Sequence, residues 1–342
     1  MLNKVFAWYE LTKLGNASRL RKELEEFSRG NIIKILEKEG WFEYLKQQRT
    51  LEEMKRMFSY DDSEFLEYVL EVLVRDKTLE KMENGSYKLN EPLDKSWIVP
   101  SIFDDQIESL WTGFANFIPK RLHGQYYEFT GGFNLFSWDN ALNNNMYDHI
   151  RNSAFAYISG LNNCKTFLDV GCGNGFGTSA IWSYFIKNFG KNKVEITGLD
   201  RDQDLLNIAM NEFERMAKKI TGLETTQLEK YTDNYPKFVL GDVLNIPFPD
   251  NTFDFTYASQ VLHWTDGKKG IEEMIRVTKE NGTIFGTQSF FPGASEFTDL
   301  HFKVIKGAKG YFTQKEFINW AKELNVKKIK FATPISIFSI IK

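Results

Sequence analysis

Three carboxylates stand at the ends of three short apolar runs: Asp169 in 166–170, Asp200 at the close of 194–200, and Asp242 after 237–240. Glycines follow the first at Gly171, Gly173, Gly175 and Gly177, and a helical pattern follows the glycines. A strand, a glycine turn and a helix start in that order hold a nucleotide-like ligand at the edge of a parallel sheet. Without a Cβ, a glycine lets the ligand lie on the backbone. The loop is not a dinucleotide fingerprint, because counting G-x-G-x-x-G from Gly171 puts Phe176 at the last glycine. It is not a P-loop either, since Phe176 again takes the second glycine and no Lys-Ser or Lys-Thr pair closes it. The Asp169 carboxylate favours a ligand bearing an amine over one bearing a pyrophosphate. A carboxylate at the tip of the second strand, Asp200, accepts hydrogen bonds from both hydroxyls of a ribose.

These residues need a sheet to align them. Beyond Asp242 the segment 248–264, FPDNTFDFTYASQVLHW, reads as a turn at Pro249-Asp250-Asn251, a strand over 253–258 and a loop. An amphipathic helix is expected over 271–279, a turn at Asn281-Gly282 and a strand over 283–287. Thr313 and Glu316 form a capping box that opens a helix over 313–324, and strands follow at 326–331 and 334–341. Arg276 reads as a solvated charge on its helix. The loop Phe290-Phe291-Pro292-Gly293 falls at the carboxyl side of the fifth strand, where a substrate would sit.

The series LDVGCGNG, ITGLD, LGDVLNIPFPDNTFDFTYASQVLHW and EEMIRVTKENGTIFGT resembles the class I S-adenosylmethionine-dependent methyltransferases, over about half the chain, from Thr166 to the C-terminus. The resemblance implies an α/β, Rossmann-like seven-stranded sheet with its last strand antiparallel, and S-adenosylmethionine as cofactor. It implies that Asp169, Gly171, Gly173 and Gly175 contact the methionine part, with Cys172 inside the same loop. Asp200 would hold the ribose, with Arg201 beside it. Asp242 and Val243 would border the adenine, and Gln260 would face the methionyl end or the substrate. No N-P-P-Y-type tetrapeptide for methylation of base nitrogens follows the fourth strand, where Ser259-Gln260-Val261-Leu262 stands.

Residues 17–90 read mainly as helices. Gly40 breaks the pattern in 31–47, Thr50 and Glu53 form a capping box, 64–73 carries apolar residues at helical spacing, and Asn84-Gly85 turns a hairpin over 79–89. Three helices and a hairpin is the order of a winged helix. It resembles the N-terminal dimerisation domain of plant-type small-molecule O-methyltransferases and of bacteriochlorophyll-pathway methyltransferases. A winged helix also binds DNA, but 61–77 carries Asp61, Asp62, Glu64, Glu67, Glu71 and Asp76 against Arg75 and Lys77. Phosphate contacts need the opposite charge. The domain is therefore expected to dimerise and to cover substrate, with no nucleic-acid partner; the apolar leader Leu2, Val5, Phe6, Trp8 and Tyr9 suits a homodimer. A cofactor-sensing regulator acting through the winged helix is the other reading.

The expected divisions are a winged-helix-like domain at 1–95, an aromatic-rich linker and substrate lid at 96–150, and the cofactor-binding domain at 151–342. Tyr126, Tyr127, Phe133 and Trp138 from the linker, with His263 and Trp264, are expected to wall an apolar pocket for a small hydrophobic or aromatic metabolite such as a quinone, isoprenoid, phenol or tetrapyrrole. Methyl transfer is an in-line displacement in which sulfur loses its positive charge, so the protein chiefly aligns nucleophile, methyl and sulfur. Where the nucleophile carries a proton a base must take it, and His263 in VLHW is the candidate catalytic residue. VLHW resembles the ubiquinone and menaquinone C-methyltransferases, where the resemblance implies a histidine that lines the pocket.

Composition agrees with a globular enzyme of two domains: 342 residues, 42% hydrophobic, 26% charged. A net charge of -3 gives no general pull toward nucleic acid or anionic membrane. No apolar run is long enough to span a bilayer, and no leader pattern opens the chain. Cys164 and Cys172 make neither a disulfide framework nor a metal spacing, so a reducing cytoplasm and no metal are expected.

Overall fold

The structure is a computed structural model that describes residues 17–100, 103, 105–128, 145–190, 194–332 and 337–342. The described residues divide into two compact units, one within 16–129 and 292–310, the other within 130–291 and 311–342.

The first unit opens with helices α1 (Ala17–Lys38), α2 (Trp41–Tyr44), α3 (Leu51–Phe58) and α4 (Ser63–Arg75). Gly40, at φ 86°, separates α1 from α2, a backbone region that favours glycine. Thr50 and Glu53 close the capping box that starts α3, and the Asp62 carboxylate accepts the Phe65 N–H to start α4. The hairpin β1 (Leu79–Lys81) and β2 (Tyr87–Leu89) turns at Gly85. Arg49 and Tyr87 exchange backbone hydrogen bonds, so the chain just ahead of the Thr50 cap adds to the hairpin. The unit continues with α5 (Asp105–Asn116) and α6 (Ile118–Leu122).

The second unit carries α7 (Asn145–Tyr157), β3 (Thr166–Val170), α8 (Phe176–Phe189), β4 (Glu195–Asp200), α9 (Gln203–Thr221), α10 (Thr225–Leu228) and β5 (Lys237–Leu240). Then follow β6 (Phe253–Ser259), α11 (Gly267–Val277) and β7 (Thr278–Thr287). After β7 the chain supplies α12 (Glu296–Lys303) to the first unit and returns for α13 (Gln314–Glu323), β8 (Lys328–Ala332) and β9 (Ile337–Ile341).

The strands form one sheet in the order β5-β4-β3-β6-β7-β9-β8. The first five are parallel, and β9 runs antiparallel to both β7 and β8. Successive strand residues face opposite sides. Phe167, Ile196, Phe255, Tyr257 and Phe285 join Phe155 of α7, Trp182 of α8 and Phe213 of α9 on one face. Leu168, Val170, Leu199, Ala258 and Ile284 join Ile271, Met274 and Phe317 on the other. Helices therefore cover both sides, as a parallel sheet requires.

The described residues of 96–128 group with the helical unit, and so does 292–310. Two sequence expectations change. Asn281-Gly282 is not a turn ahead of a strand. β7 runs through it from Thr278, with Asn281 at φ 64°, and the register jumps from Phe253↔Thr278 to Phe255↔Thr283. The extra residues form a bulge, which keeps the ladder going. Arg276 is not a solvated charge. Its guanidinium donates to Glu273, to Asp250 and to the carbonyls of Ile246 and Phe248, which clamps the 246–250 loop.

The β6–β7 pairing depends on Gly286, where an added Cβ would lie 1.8 Å from the Ala258 carbonyl oxygen. Gly286→Ala is expected to lower stability by about 3 kcal/mol or more. Gly222→Ala, at φ +73° in open space, should cost only the left-handed strain, about 1 kcal/mol. Denaturant unfolding of the two variants checks the difference; equal losses would show that the sheet yields around the added methyl group at Gly286.

Candidate functional site

From β3 the chain moves outward to β4 and β5, and from β6 it moves the other way to β7. The order reverses between β3 and β6, and ligands of such sheets bind beyond the carboxyl ends of the strands at that reversal. The register brings the strand ends level there: Val170 lies opposite Leu199 and Ala258, Asp200 opposite Leu240, and Ser259 opposite Thr287. Asp169, the glycine loop, Asp200, Asp242, Gln260 and Gln288 all sit at or just past this edge.

The glycine loop is laced to β4. The N–H groups of Gly171 and Cys172 both donate to the Leu199 carbonyl, at 2.7 and 3.0 Å, and the Gly173 N–H donates to Asp200 Oδ2 at 2.8 Å. Gly171, Gly173 and Gly175 take φ of 68°, 55° and 82°. A Cβ on Gly171 would fall 2.6 Å from Val261, and one on Gly175 2.7 Å from Ala209. These two glycines are needed for conformation and for space. Gly175 caps α8 with no side-chain bond of its own, and Asn174 Oδ1 accepts the Phe176 N–H of the first turn at 3.3 Å. The Cys172 thiol is buried and burial pushes it well above its usual range, so it stays protonated.

Asp169 is buried, and Thr178 Oγ1 donates to its Oδ2 at 2.6 Å. Burial pushes its carboxyl up to about 7; the Thr178 bond and the Arg151 charge oppose this, and Asp200 adds to it. Arg151, a buried residue of α7 with its guanidinium 5.0 Å from the Phe176 ring centroid, was not legible as a site residue. It lies in a helix before the first motif, and nothing in its own spacing marks it. Burial also raises Asp200, whose Oδ1 accepts the Asp202 N–H at 3.0 Å. Arg201 is exposed. Asp242 Oδ1 accepts the Leu244 N–H at 2.9 Å, which shapes the turn that carries Val243.

Past β6, Gln260 has φ 55°, a sparsely populated conformation for a residue with a side chain. Its N–H donates to the Thr287 carbonyl, and its Oε1 accepts from Ser289 Oγ at 3.1 Å. His263 is 2% exposed, and its ring packs on Trp264 and Tyr311 at 5.6 and 4.8 Å between centroids. Burial lowers it to about 3, so the ring is neutral near neutral pH. Gln288, fully buried, bonds His263 through its amide nitrogen. Gln288 and Tyr311 were missed by sequence reasoning, because each reaches His263 from a separate element.

Tyr126 and Tyr127 lie in the helical unit, where Tyr126 is exposed beneath Arg121 and Tyr127 packs edge-on against Phe114 and Phe117. Phe133 and Trp138, like the leader Leu2, Val5, Phe6, Trp8 and Tyr9, lie outside the described residues. Phe290 is core, against Phe312, Phe317 and Phe331. Among the described residues no cluster could hold a metal ion, and no helix is long and apolar enough to cross a membrane.

Residues 168–286 match a family described as a methyltransferase domain. An uncharacterized methyltransferase of Schizosaccharomyces pombe is 37% identical over 118 residues, 34% of this chain and 37% of the relative. A demethylmenaquinone methyltransferase of Staphylococcus epidermidis is 28% identical over 162 residues, 46% of this chain and 58% of the relative. The chain thus spans less than two thirds of either. Among solved structures, the DszA carbon methyltransferase superposes with a TM-score of 0.70 at 14% identity, over 98% of this chain and 93% of the other. That likeness extends the shared fold through the helical unit.

Asp200→Ala removes the acceptor of the Gly173 N–H and so frees the loop. S-adenosylhomocysteine affinity, read by calorimetry, is expected to fall about ten- to hundredfold, the equivalent of about 1–3 kcal/mol. Unchanged affinity would remove Asp200 from the site.

Proposed function

With residues 168–286 a class I, S-adenosylmethionine-dependent methyltransferase domain, we propose that the protein transfers the cofactor's methyl group to carbon or oxygen of a small hydrophobic or aromatic metabolite. The observation that carries this reading is the Asp169–Gly171–Gly173–Asp200 arrangement at the reversal of the sheet. Asp169 takes the cofactor's ammonium, and Arg151 nearby takes its carboxylate. Asp200 takes the ribose hydroxyls, and the Asp242–Val243 turn borders the adenine. The glycine loop lies along the methionine chain.

Transfer forms a bond from the nucleophile to the methyl carbon as the carbon–sulfur bond breaks, and the electron pair stays on sulfur. Charge disappears from sulfur, so a dry pocket does not oppose the step. His263, Trp264, Tyr311 and Phe291 supply the aromatic wall, with Phe291 and Tyr311 edge-on at 5.9 Å. Such a wall orients a flat or greasy acceptor, and aromatic faces favour the sulfonium. A quinone-like acceptor fits this chemistry, and one relative carries such an acceptor in its name.

The helical unit serves as a dimerisation and lid module. On α4, Glu71 is held by Lys81 and Tyr87, and Glu64 and Glu67 are exposed, which favours a protein or substrate role over phosphate binding.

Titration with S-adenosylmethionine and S-adenosylhomocysteine tests the cofactor claim, and binding of neither overturns it. The affinity carries a pH signature. A carboxyl near 7 in the free protein must ionise to meet the cofactor's ammonium, so binding releases a proton below pH 7. S-adenosylhomocysteine affinity is expected to rise about tenfold per unit toward pH 7 and then level off. Asp169→Asn should bind weakly with no such slope; a wild-type affinity flat between pH 5.5 and 7.5 would remove Asp169 as the ammonium partner.

A further inference from the structure

We propose that Glu273 and Arg276 of α11 are positioning residues for the base of the cofactor. By fixing the loop that follows β5, they set the Asp242–Val243 turn and with it a preference for adenine over a base without an exocyclic amine. The inference deepens the methyltransferase reading and rests on it.

A guanidinium has five N–H donors and no acceptor. Arg276 meets five acceptors. Its Nε donates to Glu273 Oε1 at 2.7 Å. One terminal nitrogen donates to the Phe248 carbonyl at 2.9 Å and to Asp250 Oδ1 at 2.8 Å. The other donates to the Ile246 carbonyl and to Glu273 Oε2, both at 2.8 Å. Glu273 Oε2 also accepts the Ile246 N–H at 2.8 Å. Ile246 is therefore held by both of its backbone groups, one by each member of the pair. A lone ion pair near the surface contributes little. This one is forked, and it satisfies main-chain groups that no strand or helix pairs.

The clamped stretch is continuous with the turn. The Phe248 N–H donates to the Ile246 carbonyl at 2.7 Å, and the Phe248 ring lies edge-on to Phe253 of β6 at 5.0 Å. At the other end, the Gly241 N–H donates to the Asp200 carbonyl at 2.9 Å. Between these anchors the Asn245 N–H donates to the Asp242 carbonyl at 3.0 Å, and the Leu244 N–H to the Asp242 carboxylate. The loop folds back on itself, since a Cβ on Gly241 would lie 2.7 Å from Pro247. α11 also presses on the turn directly, because a Cβ on Gly270 would lie 3.4 Å from Val243 Cγ2. Gly270, Glu273 and Arg276 follow one another at three-residue spacing, so one side of α11 holds both the turn and the loop.

Holding the turn matters for selectivity. An ionised carboxylate only accepts hydrogen bonds, so Asp242 suits a base that offers an amine. A carbonyl oxygen at the same place would set acceptor against acceptor. That discrimination needs the carboxylate fixed, because a loop free to shift adapts to either base. Lysine cannot stand in for Arg276, having three donors on a point charge against five acceptors.

Calorimetric titration of the full chain with S-adenosylhomocysteine and with S-inosylhomocysteine, whose base carries a carbonyl oxygen in place of the amine, reads the preference. The wild type is expected to favour the adenosyl ligand by about tenfold or more. Arg276→Met removes every donor of the clamp. It should weaken S-adenosylhomocysteine about tenfold and change S-inosylhomocysteine by less than about twofold. Glu273→Gln, of nearly the same shape, should reduce the preference by about threefold, and Arg276→Lys should behave more like Arg276→Met than like the wild type. Circular dichroism shows which variants fold, and Glu273→Gln carries the test if Arg276→Met does not. Equal weakening of both ligands is the mark of general loosening and overturns the proposal. So does a preference that the variants leave unchanged, or a wild type that does not distinguish the ligands. A wild type that binds neither ligand removes the methyltransferase reading itself, whereas binding with a preference that survives Arg276→Met removes only the clamp.

Discussion

The site depends on how β4 holds the glycine loop. Three consecutive backbone N–H groups, of Gly171, Cys172 and Gly173, donate to the last two residues of β4: two to the Leu199 carbonyl and one to the Asp200 carboxylate. A loop of left-handed glycines has high conformational freedom, and ordering it costs entropy that few side chains are present to offset. The β4 acceptors supply the compensation. The Asp200 carboxylate, raised by burial, therefore does two jobs with two oxygens: one accepts Gly173 and the other Asp202. The loop's close approach to Val261 and Ala209 explains why two of its positions tolerate no side chain.

A second constraint holds the helical unit together. α12 leaves the cofactor domain's sequence and packs with the helical unit, where Tyr68 donates to the buried Asp299 at 2.6 Å, Arg75 to Glu296 at 2.7 Å, and Ser28 meets Thr298 at 3.3 Å. Trp111 packs edge-on against His301 and Phe302. Burial lowers His301 to about 4, so this helix enters the unit with a neutral imidazole. The helical unit is completed by a segment that follows the fifth parallel strand.

Much of this was legible because local chemistry announced it. The capping boxes at Thr50 and Thr313, the break at Gly40, and the strands that carry Asp169 and Asp200 at their carboxyl ends each need only residues close to one another along the chain. The alternation in the strands and the order of the motifs set the sheet, since short connections and right-handed crossovers leave few other arrangements. Where partners come from distant segments the sequence misled. Arg276 looked solvated because Asp250 and the carbonyls of Ile246 and Phe248 meet it only after folding. The Asn281-Gly282 dipeptide looked like a turn because a bulge inside a strand uses the same backbone.

The sequence by itself determined the glycine loop, the run of strand-end carboxylates and the class of cofactor they suit, because each is a local pattern of residue types and spacing. Tertiary structure decided what those groups are at neutral pH and which others join them. Asp169 became a carboxyl near 7 because helices and strands remove it from water, and Arg151 came to stand within reach of its charge. His263 met Gln288 and Tyr311 only where the ends of β6 and β7 and the approach to α13 converge. Burial and through-space partnership are properties of packing, and no spacing along the chain encodes them.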